Sequence, residues 1–342
     1  MSSVLIVDDS SLIRKILSET INRDPNFDVI GCARDGAEAL KKIKEFNPDI
    51  ITVDINMPHL DGIALINELM KENPKPVLVV SELTKEDSEI TFKALESGAV
   101  DVLLKPKNIN DKKEFLYFKE DLFLKLKASL KAHPKEFSKK GKKPTHHFEK
   151  ISKKILIIGA STGGPSTLQK LFSEMPGNLP FSILVVQHMP EGFTKAFAQM
   201  LDKKSELHIK EAADGDLLRD NTVYICPAGY NMSVIEKEKD IPSIKLTQDE
   251  KLHNLRPTVD YLVSSAVPVF GDRIILVVLT GMGYDGTKGA EMVKKNKGRV
   301  IVESEESCII YGMPKSIVEK NLADSVVSLD KLPVAIFNEI EN

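Results

Sequence analysis

Short apolar runs alternate with amphipathic stretches along this chain, and that alternation constrains its fold more than any other feature. Short strands separated by helices are typical of βαβ units, which build parallel sheets covered on both faces. The pattern therefore predicts an α/β fold. It occurs in two sets, the first at Val4–Val7, Val29–Ala33, Ile50–Val53, Val77–Val80 and Val102–Leu104, the second at Ile155–Ile158, Ile183–Val186, Val223–Cys226, Ile274–Leu279 and Val300–Val302, with more irregular strand-like segments between residues 208 and 248.

A lysine-rich segment, residues 126–151, separates the two sets. It contains proline and glycine and has few apolar side chains, so it cannot bury enough surface to order itself. We therefore predict two domains, residues 1–125 and 152–342, joined by a flexible linker. The alternative is a basic arm for nucleic acid, but the segment contains no arginine to support it. The His146–His147 pair is expected to be solvated linker rather than a metal site.

The overall composition argues against several classes of protein. A formal net charge of -3 gives no general attraction to nucleic acid or to an anionic membrane. No apolar run approaches the roughly 18 residues that a membrane-spanning helix needs. The first residues have no basic region and soon reach two aspartates, which argues against a secretory signal. Cys32, Cys226 and Cys308 are isolated, so they predict structural thiols and a cytoplasmic location.

Polar side chains stand at the ends of four predicted strands in the first domain. Asp8 and Asp9 follow the first strand and Asp54 follows the third. Because the carboxyl ends of parallel strands share one edge, these carboxylates are expected to meet, and Mg²⁺ would relieve their repulsion. Ser81 and Lys105 end the fourth and fifth strands, and together they would bind an oxyanion, most simply a phosphoryl group on Asp54. Any one of these residues alone would be an ordinary turn residue.

The pattern of polar residues at these strand ends resembles that of a response-regulator receiver domain, over roughly residues 1–125. The resemblance implies a flavodoxin-like fold, with Asp54 as phospho-acceptor and Mg²⁺ held by the three aspartates. It also implies that Ser81 and Lys105 sense the phosphoryl group, and that a histidine kinase is the partner. Val102 stands where many receivers carry an aromatic residue that reports phosphorylation, so the readout is expected to differ here.

The glycine-rich turn GASTGG, Gly159–Gly164, opens the second domain between an apolar run and a helical pattern. Such a turn could cradle a phosphate, or it could expose Ser161 as a nucleophile. A dinucleotide site would also have an acidic residue after the next strand, but His188 stands there. The turn lacks the P-loop lysine as well. These residues favour the nucleophile.

A serine nucleophile needs a base, and the base needs an orienting acid. His188 follows the second strand of this domain, and Asp285 lies in the loop LTGMGYDG after a later strand. Because Ser161, His188 and Asp285 all leave the ends of apolar strands, the parallel-sheet rule predicts that they converge. Each residue also has a simpler interpretation, as a helix cap, a satisfied polar residue or a turn former.

Six motifs across residues 152–342, in the order GASTGG, QHMPEGFTKAFA, EAADGD, LRPTVDYLVSSA, LTGMGYDG and YGMP, resemble the chemotaxis methylesterase family CheB. A receiver joined by a linker to this domain is also that family's architecture. We therefore expect a doubly wound parallel-sheet esterase domain. The resemblance implies that Ser161 is the nucleophile, His188 the general base and then acid, and Asp285 the orienting carboxylate.

The same resemblance implies that backbone N–H groups near Thr162 and Met282 meet the oxyanion, and that the esterase site needs no cofactor. The reaction would be hydrolysis of γ-glutamyl methyl esters on chemoreceptors, with release of methanol, together with deamidation of specific receptor glutamines. Phosphotransfer from the chemotaxis histidine kinase to Asp54 would activate it, because the unphosphorylated receiver is expected to block the esterase cleft.

Two rival classes of protein remain open at this point. A transcriptional response regulator would need a DNA-recognition helix, and the second half offers strands and glycines instead. A receptor-binding adaptor without catalysis would not need Ser161, His188 and Asp285. We expect a monomer that acts on receptors, binds no nucleic acid and does not insert into membranes.

Four positions depart from the usual family motifs: Ala228 and Asn231 in CPAGYN, and Val302 and Glu303. They lie outside the triad, so we expect altered substrate fit rather than lost chemistry. Arg256, in LRPTVD, has two interpretations at this point, a contact with substrate or a structural contact within the protein.

Overall fold

The computed structural model of this chain describes residues 1–82, 85–131, 151, 153–237, 241–249, 252 and 255–341. The chain divides into two compact units, Met1–Ser138 and Lys139–Asn342. Most of the predicted linker, with His146–His147, lies outside the described residues.

Strands and helices alternate throughout the amino-terminal unit, at β1 (Ser2–Val7), α1 (Ser11–Ile21), β2 (Phe27–Ala33), α2 (Gly36–Phe46), β3 (Ile50–Val53), α3 (Gly62–Glu72), β4 (Val77–Ser81), α4 (Lys85–Glu96), β5 (Asp101–Leu104) and α5 (Lys112–Lys131). The five strands form a parallel sheet in the order β2-β1-β3-β4-β5. This is the flavodoxin-like order, as predicted. β3 and β4 are buried along their whole length, as expected for strands covered on both faces.

The last helix of this unit corrects the predicted boundary of the linker. The linker was expected to begin at residue 126, but α5 continues to Lys131. Leu126 and Ala128 are fully buried, and Leu126 belongs to the same apolar core as β1 and β4. Packing against the sheet therefore keeps this lysine-containing stretch helical.

The carboxyl-terminal unit contains β6 (Ile155–Ala160), α6 (Gly164–Glu174), β7 (Ser182–Gln187), α7 (Thr194–Lys204), β8 (His208–Glu211), β9 (Thr222–Ile225), β10 (Asn231–Lys237), β11 (Ile241–Thr247), α8 (Val259–Phe270), β12 (Ile274–Val278), α9 (Thr287–Lys295), β13 (Arg299–Glu303), α10 (Met313–Val318), β14 (Ser325–Val327) and α11 (Leu332–Glu341). Seven strands form a parallel sheet in the order β14-β13-β12-β6-β7-β9-β8, and β10 and β11 form a separate antiparallel hairpin. All five apolar runs predicted here are strands, and the irregular segments became β8, β10 and β11.

The order of strands in this sheet determines where its functional residues meet. After β6 the chain adds β7 beside it, then β8 at the sheet edge and β9 between β7 and β8, and it later returns to place β12 on the other side of β6. This is the predicted doubly wound arrangement, and ligands bind such sheets where the winding direction reverses. The loops that follow β6, β7 and β12 therefore lie side by side at one edge.

The described helices include none with the length and apolar character to cross a bilayer. The three cysteines are free thiols, as predicted, and Cys226 and Cys308 are buried. Burial raises the pKa of the Cys226 and Cys32 thiols, which keeps them protonated and unreactive near neutral pH.

Candidate functional site

Three carboxylates meet at the carboxyl edge of the amino-terminal sheet. One oxygen from each of Asp8, Asp9 and Asp54 lies within 4.8 Å of the others. Asp8 and Asp54 are buried, whereas Asp9 is exposed. Carboxylate oxygens with room for water are the ligands that Mg²⁺ prefers, so this donor set fits that ion.

Lys105 joins two of these carboxylates. Its Nζ lies 2.9 Å from Asp8 Oδ2 and 2.8 Å from Asp54 Oδ2, while the Ile55 N–H donates to Asp54 Oδ1 at 2.8 Å. Burial raises the pKa of Asp54 to about 6, although Lys105 opposes the shift. Burial would lower the pKa of Lys105, but the two carboxylates raise it instead. A permanent cation therefore stands beside the carboxylate predicted to accept a phosphoryl group.

Ser81 has partners other than the carboxylates. Its buried hydroxyl accepts a hydrogen bond from the Thr91 hydroxyl of α4 at 3.1 Å and donates to the Glu82 carbonyl at 3.3 Å. Val102, half-buried on β5, has no polar side-chain atom with which to report a change at Asp54.

In the carboxyl-terminal unit, the structure brings His188 and Asp285 together. His188 Nε2 lies 2.9 Å from Asp285 Oδ2. The backbone of His188, directly after β7, donates from its N–H to the Ala160 carbonyl at 3.0 Å. Sheet pairing therefore fixes the histidine next to the turn that carries Ser161.

Asp285 is buried among hydrogen-bond donors at the start of α8. The Val259 N–H donates to Oδ2 at 2.8 Å and the Asp260 N–H to Oδ1 at 3.1 Å. Burial alone would raise the pKa of Asp285, but the bonds from His188 and from these two N–H groups outweigh it and lower the pKa. The carboxylate stays ionised near neutral pH, at the positive end of a helix dipole.

Asp260 forms the reciprocal contact and was not predicted from the sequence. Its buried Oδ1 accepts hydrogen bonds from the Gly286 N–H at 3.0 Å and the Gly289 N–H at 2.8 Å, at the start of α9. Asp285 thus holds the first turn of α8, and Asp260 in that turn holds the loop that carries Asp285. The signal in the sequence was an aspartate two residues after Thr258, the residue that caps α8.

Asp260→Ala is expected to lower the free energy of unfolding of the carboxyl-terminal unit by about 2–4 kcal/mol, because two buried N–H groups lose their acceptor. Asp260→Asn keeps an oxygen at the Oδ1 position and should lose less. Urea unfolding of the full chain measures both variants, and equal losses would contradict this role for Oδ1.

Ser161 lies in the turn between β6 and α6. Its N–H donates to the Thr280 carbonyl at 3.0 Å, which ties the turn to the loop after β12. Within the described residues, the Ser161 hydroxyl makes no hydrogen bond with His188. Since Asp285 occupies Nε2, Nδ1 is the ring nitrogen left for Ser161. Catalytic hydrogen bonds are often long without substrate and tighten when it binds.

The loop after β12 approaches Ser161 closely at a glycine. A Cβ at Gly281 would lie 2.8 Å from Ser161 Cβ and 2.5 Å from Met313 Sδ, so no other residue fits without a shift. Across the described residues, neither the Thr162 N–H nor the Met282 N–H donates a hydrogen bond to another group. Both predicted oxyanion donors are therefore available to a ligand.

The buried side chain of Glu303, at the end of β13, holds the loop that follows β12. Its Oε2 accepts the Thr280 N–H at 2.9 Å and its Oε1 accepts the Ser307 hydroxyl at 3.0 Å. Burial raises the pKa of this carboxyl, against the lowering by those hydrogen bonds. All four positions that depart from the family motifs, namely Ala228, Asn231, Val302 and Glu303, are buried. Their effect on substrate fit remains a prediction.

Arg256 makes a structural contact. Its Nη1 donates to the carbonyls of Gln248 at 2.7 Å and Asp249 at 2.8 Å. These bonds attach the segment before α8 to the end of β11. A contact between Arg256 and substrate remains a prediction.

Comparison with known proteins identifies a family for each of the two units. Residues 156–336 match the family described as CheB methylesterase, and residues 4–116 match the response regulator receiver domain. The chain is 41% identical over 343 residues to the protein-glutamate methylesterase/protein-glutamine glutaminase 2 of Methanosarcina mazei, covering 96% of this chain and 93% of that protein. It is 41% identical over 332 residues to the protein-glutamate methylesterase/protein-glutamine glutaminase of Thermotoga maritima, with 96% of each covered.

Among solved structures, the catalytic domain of the Thermotoga maritima CheB methylesterase matches with a TM-score of 0.54 and 42% identity, over 55% of this chain and 99% of that one. The family matches together span most of the chain, and the relatives match it almost from end to end. The chain therefore belongs to the CheB methylesterase family, with a response-regulator receiver domain ahead of its catalytic domain.

Proposed function

We propose that this chain hydrolyses the γ-methyl esters of glutamates on chemoreceptors and deamidates receptor glutamines, under the control of phosphorylation at Asp54. The observation that carries the esterase assignment is the His188–Asp285 pair, 2.9 Å apart, beside the turn that carries Ser161. The curated relatives are named for both activities. Methanol release from methylated receptor membranes tests the proposal directly.

In the proposed reaction, Ser161 Oγ attacks the ester carbonyl carbon while His188 Nδ1 accepts its proton. The tetrahedral intermediate loses methanol, whose oxygen receives that proton from His188, and the glutamyl group stays on Ser161. Water then attacks the acyl carbon of this acyl-enzyme while His188 accepts its proton. The bond to Ser161 Oγ breaks, His188 returns the proton to that oxygen, and glutamate leaves. The same attack on a glutamine side chain would release ammonia in place of methanol.

Fixed charges and dipoles favour the charged states along this path. The ionised Asp285 stabilises the imidazolium that forms at His188 and holds the ring by its Nε2–H. The unpaired N–H groups of Thr162 and Met282 are proposed to donate to the oxyanion. Losing one such donor typically lowers kcat by about 10²–10³-fold.

In the receiver unit, Asp54 is the proposed phospho-acceptor and a histidine kinase the phosphodonor. Mg²⁺ held by Asp8, Asp9 and Asp54 would neutralise charge on the incoming phosphoryl group. Lys105 already contacts Asp54, and we propose that it pairs with a phosphoryl oxygen. Ser81 would donate to a phosphoryl oxygen by giving up its hydrogen bond to the Glu82 carbonyl. We also propose a cytoplasmic location, since the resemblance to the CheB family implies that the substrate esters lie on cytoplasmic helices of the receptors.

Asp54→Asn is expected to remove the response to phosphorylation. A phosphodonor with Mg²⁺ should raise the rate of methanol release by the wild-type chain, whereas the ratio of stimulated to unstimulated rate should fall to about one in the variant, because an amide cannot accept the phosphoryl group. Asp28→Asn is the matched control, since Asp28 is an exposed aspartate near the start of β2. Stimulation that survives in Asp54→Asn would exclude Asp54 as the acceptor.

A further inference from the structure

Gln187 is a buried polar side chain that lies between the proposed nucleophile and base. It is the last residue of β7, directly before His188, and is 1% exposed. Its Nε2 donates to the Ser161 carbonyl at 2.9 Å and to the His188 carbonyl at 2.9 Å. A single amide group therefore links the backbones of the two residues whose side chains must exchange a proton.

The surroundings of Gln187 fit an amide in one orientation only. Both partners of the nitrogen are carbonyl oxygens, so that position must be a donor. The other amide atom, Oε1, is buried and has no hydrogen-bond partner among the described residues. It faces the first residue of α6, where a Cβ on Gly164 would lie 1.9 Å from Oε1. The amide therefore fits only because residue 164 has no side chain.

The backbone around Ser161 depends on this arrangement. The Ser161 carbonyl accepts a second hydrogen bond, from the Gly164 N–H at 2.8 Å. The Ser161 N–H is held by Thr280 at 3.0 Å. Without Gln187, the turn would remain tied to α6 and to the loop after β12, but it would lose its side-chain link to His188.

We infer that Gln187 is a positioning residue for the esterase reaction, setting the separation between Ser161 and His188 through their carbonyl groups. The inference rests on the proposed roles of those two residues. Gln187 touches neither substrate nor reacting atoms, so its effect should be on kcat rather than on KM. A misplacement of about 1 Å can lower a rate by about 10²-fold.

Two substitutions of similar length separate positioning from simple burial. Gln187→Met cannot donate at all. Gln187→Glu cannot donate as a carboxylate, but its protonated form has one O–H donor. Burial beside two carbonyls raises the pKa of such a carboxyl, so protonation should occur within a usable pH range.

Both variants are expected to lower kcat at pH 8 by about 10²-fold, with KM changed less than about threefold. As the pH falls from 8 to 6, the ratio of kcat for Gln187→Glu to kcat for Gln187→Met should rise at least about fivefold. A merely structural role would not produce that pH dependence. A kcat within twofold of wild type in both variants, or a flat ratio, would overturn the inference.

Gly164→Ala tests the same contact without altering β7, and it serves if either Gln187 variant fails to fold. Its methyl group would displace the Gln187 amide, so kcat should fall by a similar factor. In a Gln187→Ala background the amide is absent and only the contact with Ala160 Cβ, at 3.0 Å, remains, so the same change should lower kcat much less. Additive losses in the double variant would count against the inference.

The rate at which a fluorophosphonate labels Ser161 gives a readout that needs no receptor. Labelling slowed about 10²-fold in Gln187→Met supports the inference even if receptor esters prove not to be the substrate. Rapid labelling of the wild-type chain without methanol release would instead count against the proposed function. Labelling at the wild-type rate in the variant would reject the role of Gln187.

Discussion

Ser161→Ala is expected to lower kcat for methyl-ester hydrolysis by about 10⁶-fold, the loss known for removal of a triad nucleophile in subtilisin. The variant keeps the turn between β6 and α6, because the backbone bonds of Ser161 do not involve its hydroxyl. The proposed oxyanion donors and the His188–Asp285 pair also remain. The variant lacks only the atom that is proposed to form the acyl-enzyme. Methanol release from methylated receptor membranes, followed with time, measures the effect.

Ser166→Ala is the matched control for this prediction. Ser166 lies five positions further along, in α6, and its half-buried hydroxyl donates to the Gly163 carbonyl at 3.0 Å. Its removal should leave kcat within about threefold of wild type. If Ser161→Ala retained more than about 1% of wild-type activity while the control behaved normally, another group would have to be the nucleophile. An adaptor without catalysis would show no methanol release in any variant.

The sequence was sufficient to predict the two sheets. Every apolar run identified from the sequence lies in a strand. The signal is clearest for strands such as β3 and β4, because a strand buried on both faces must be almost wholly apolar. The three-residue strand β14 was missed, since an edge strand so short carries little pattern. The extension of α5 was missed because the composition of residues 126–131 resembles that of the linker, and only packing distinguishes them.

The sequence also predicted that side chains at separate strand ends converge, but not how those side chains are held. Convergence of His188 and Asp285 followed from the strand rule, and the two side chains are hydrogen-bonded. The rule could not say that Nε2, rather than Nδ1, faces the carboxylate. That choice depends on the path of the loop after β12 and on the two N–H groups of α8.

Buried polar residues were the main omission. Gln187, Asp260 and Glu303 each join two segments that are distant in the sequence, so no local pattern identifies their partners. Each is nevertheless recognisable in the sequence as a polar residue at the end of an apolar strand or in the first turn of a helix. Gln187 and Glu303 are the last residues of their strands and lie at the same edge of the sheet as Ser161. Gln187 and Asp260 even lie within two of the quoted motifs, QHMPEGFTKAFA and LRPTVDYLVSSA, but a motif does not say which distant groups its polar residues contact.

Asp285→Asn is expected to lower kcat by about 10⁴-fold, as the equivalent change does in chymotrypsin-like proteases. In the described part of the chain, three groups donate hydrogen bonds to this carboxylate, namely His188 Nε2 and the N–H groups of Val259 and Asp260. Asparagine has only one oxygen. Its NH₂ group must therefore face either His188 and the Val259 N–H, at the Oδ2 position, or the Asp260 N–H, at the Oδ1 position. If the NH₂ faces His188, the ring must carry its proton on Nδ1, where it can no longer accept the proton of Ser161.

The pH dependence of the free energy of unfolding distinguishes a loss of the ionised carboxylate from a general loss of structure in Asp285→Asn. The folded-state pKa of Asp285 is lowered, so its contribution to stability is complete above the unfolded value of about 3.9 and is lost as the pH falls through the folded value. The difference in free energy of unfolding between wild type and Asp285→Asn should therefore be larger at pH 7 than at pH 3. Asp272→Asn, at an exposed position before β12, should show no such difference. If Asp285→Asn kept near-wild-type kcat at pH 7, the ionised carboxylate would not be what orients His188.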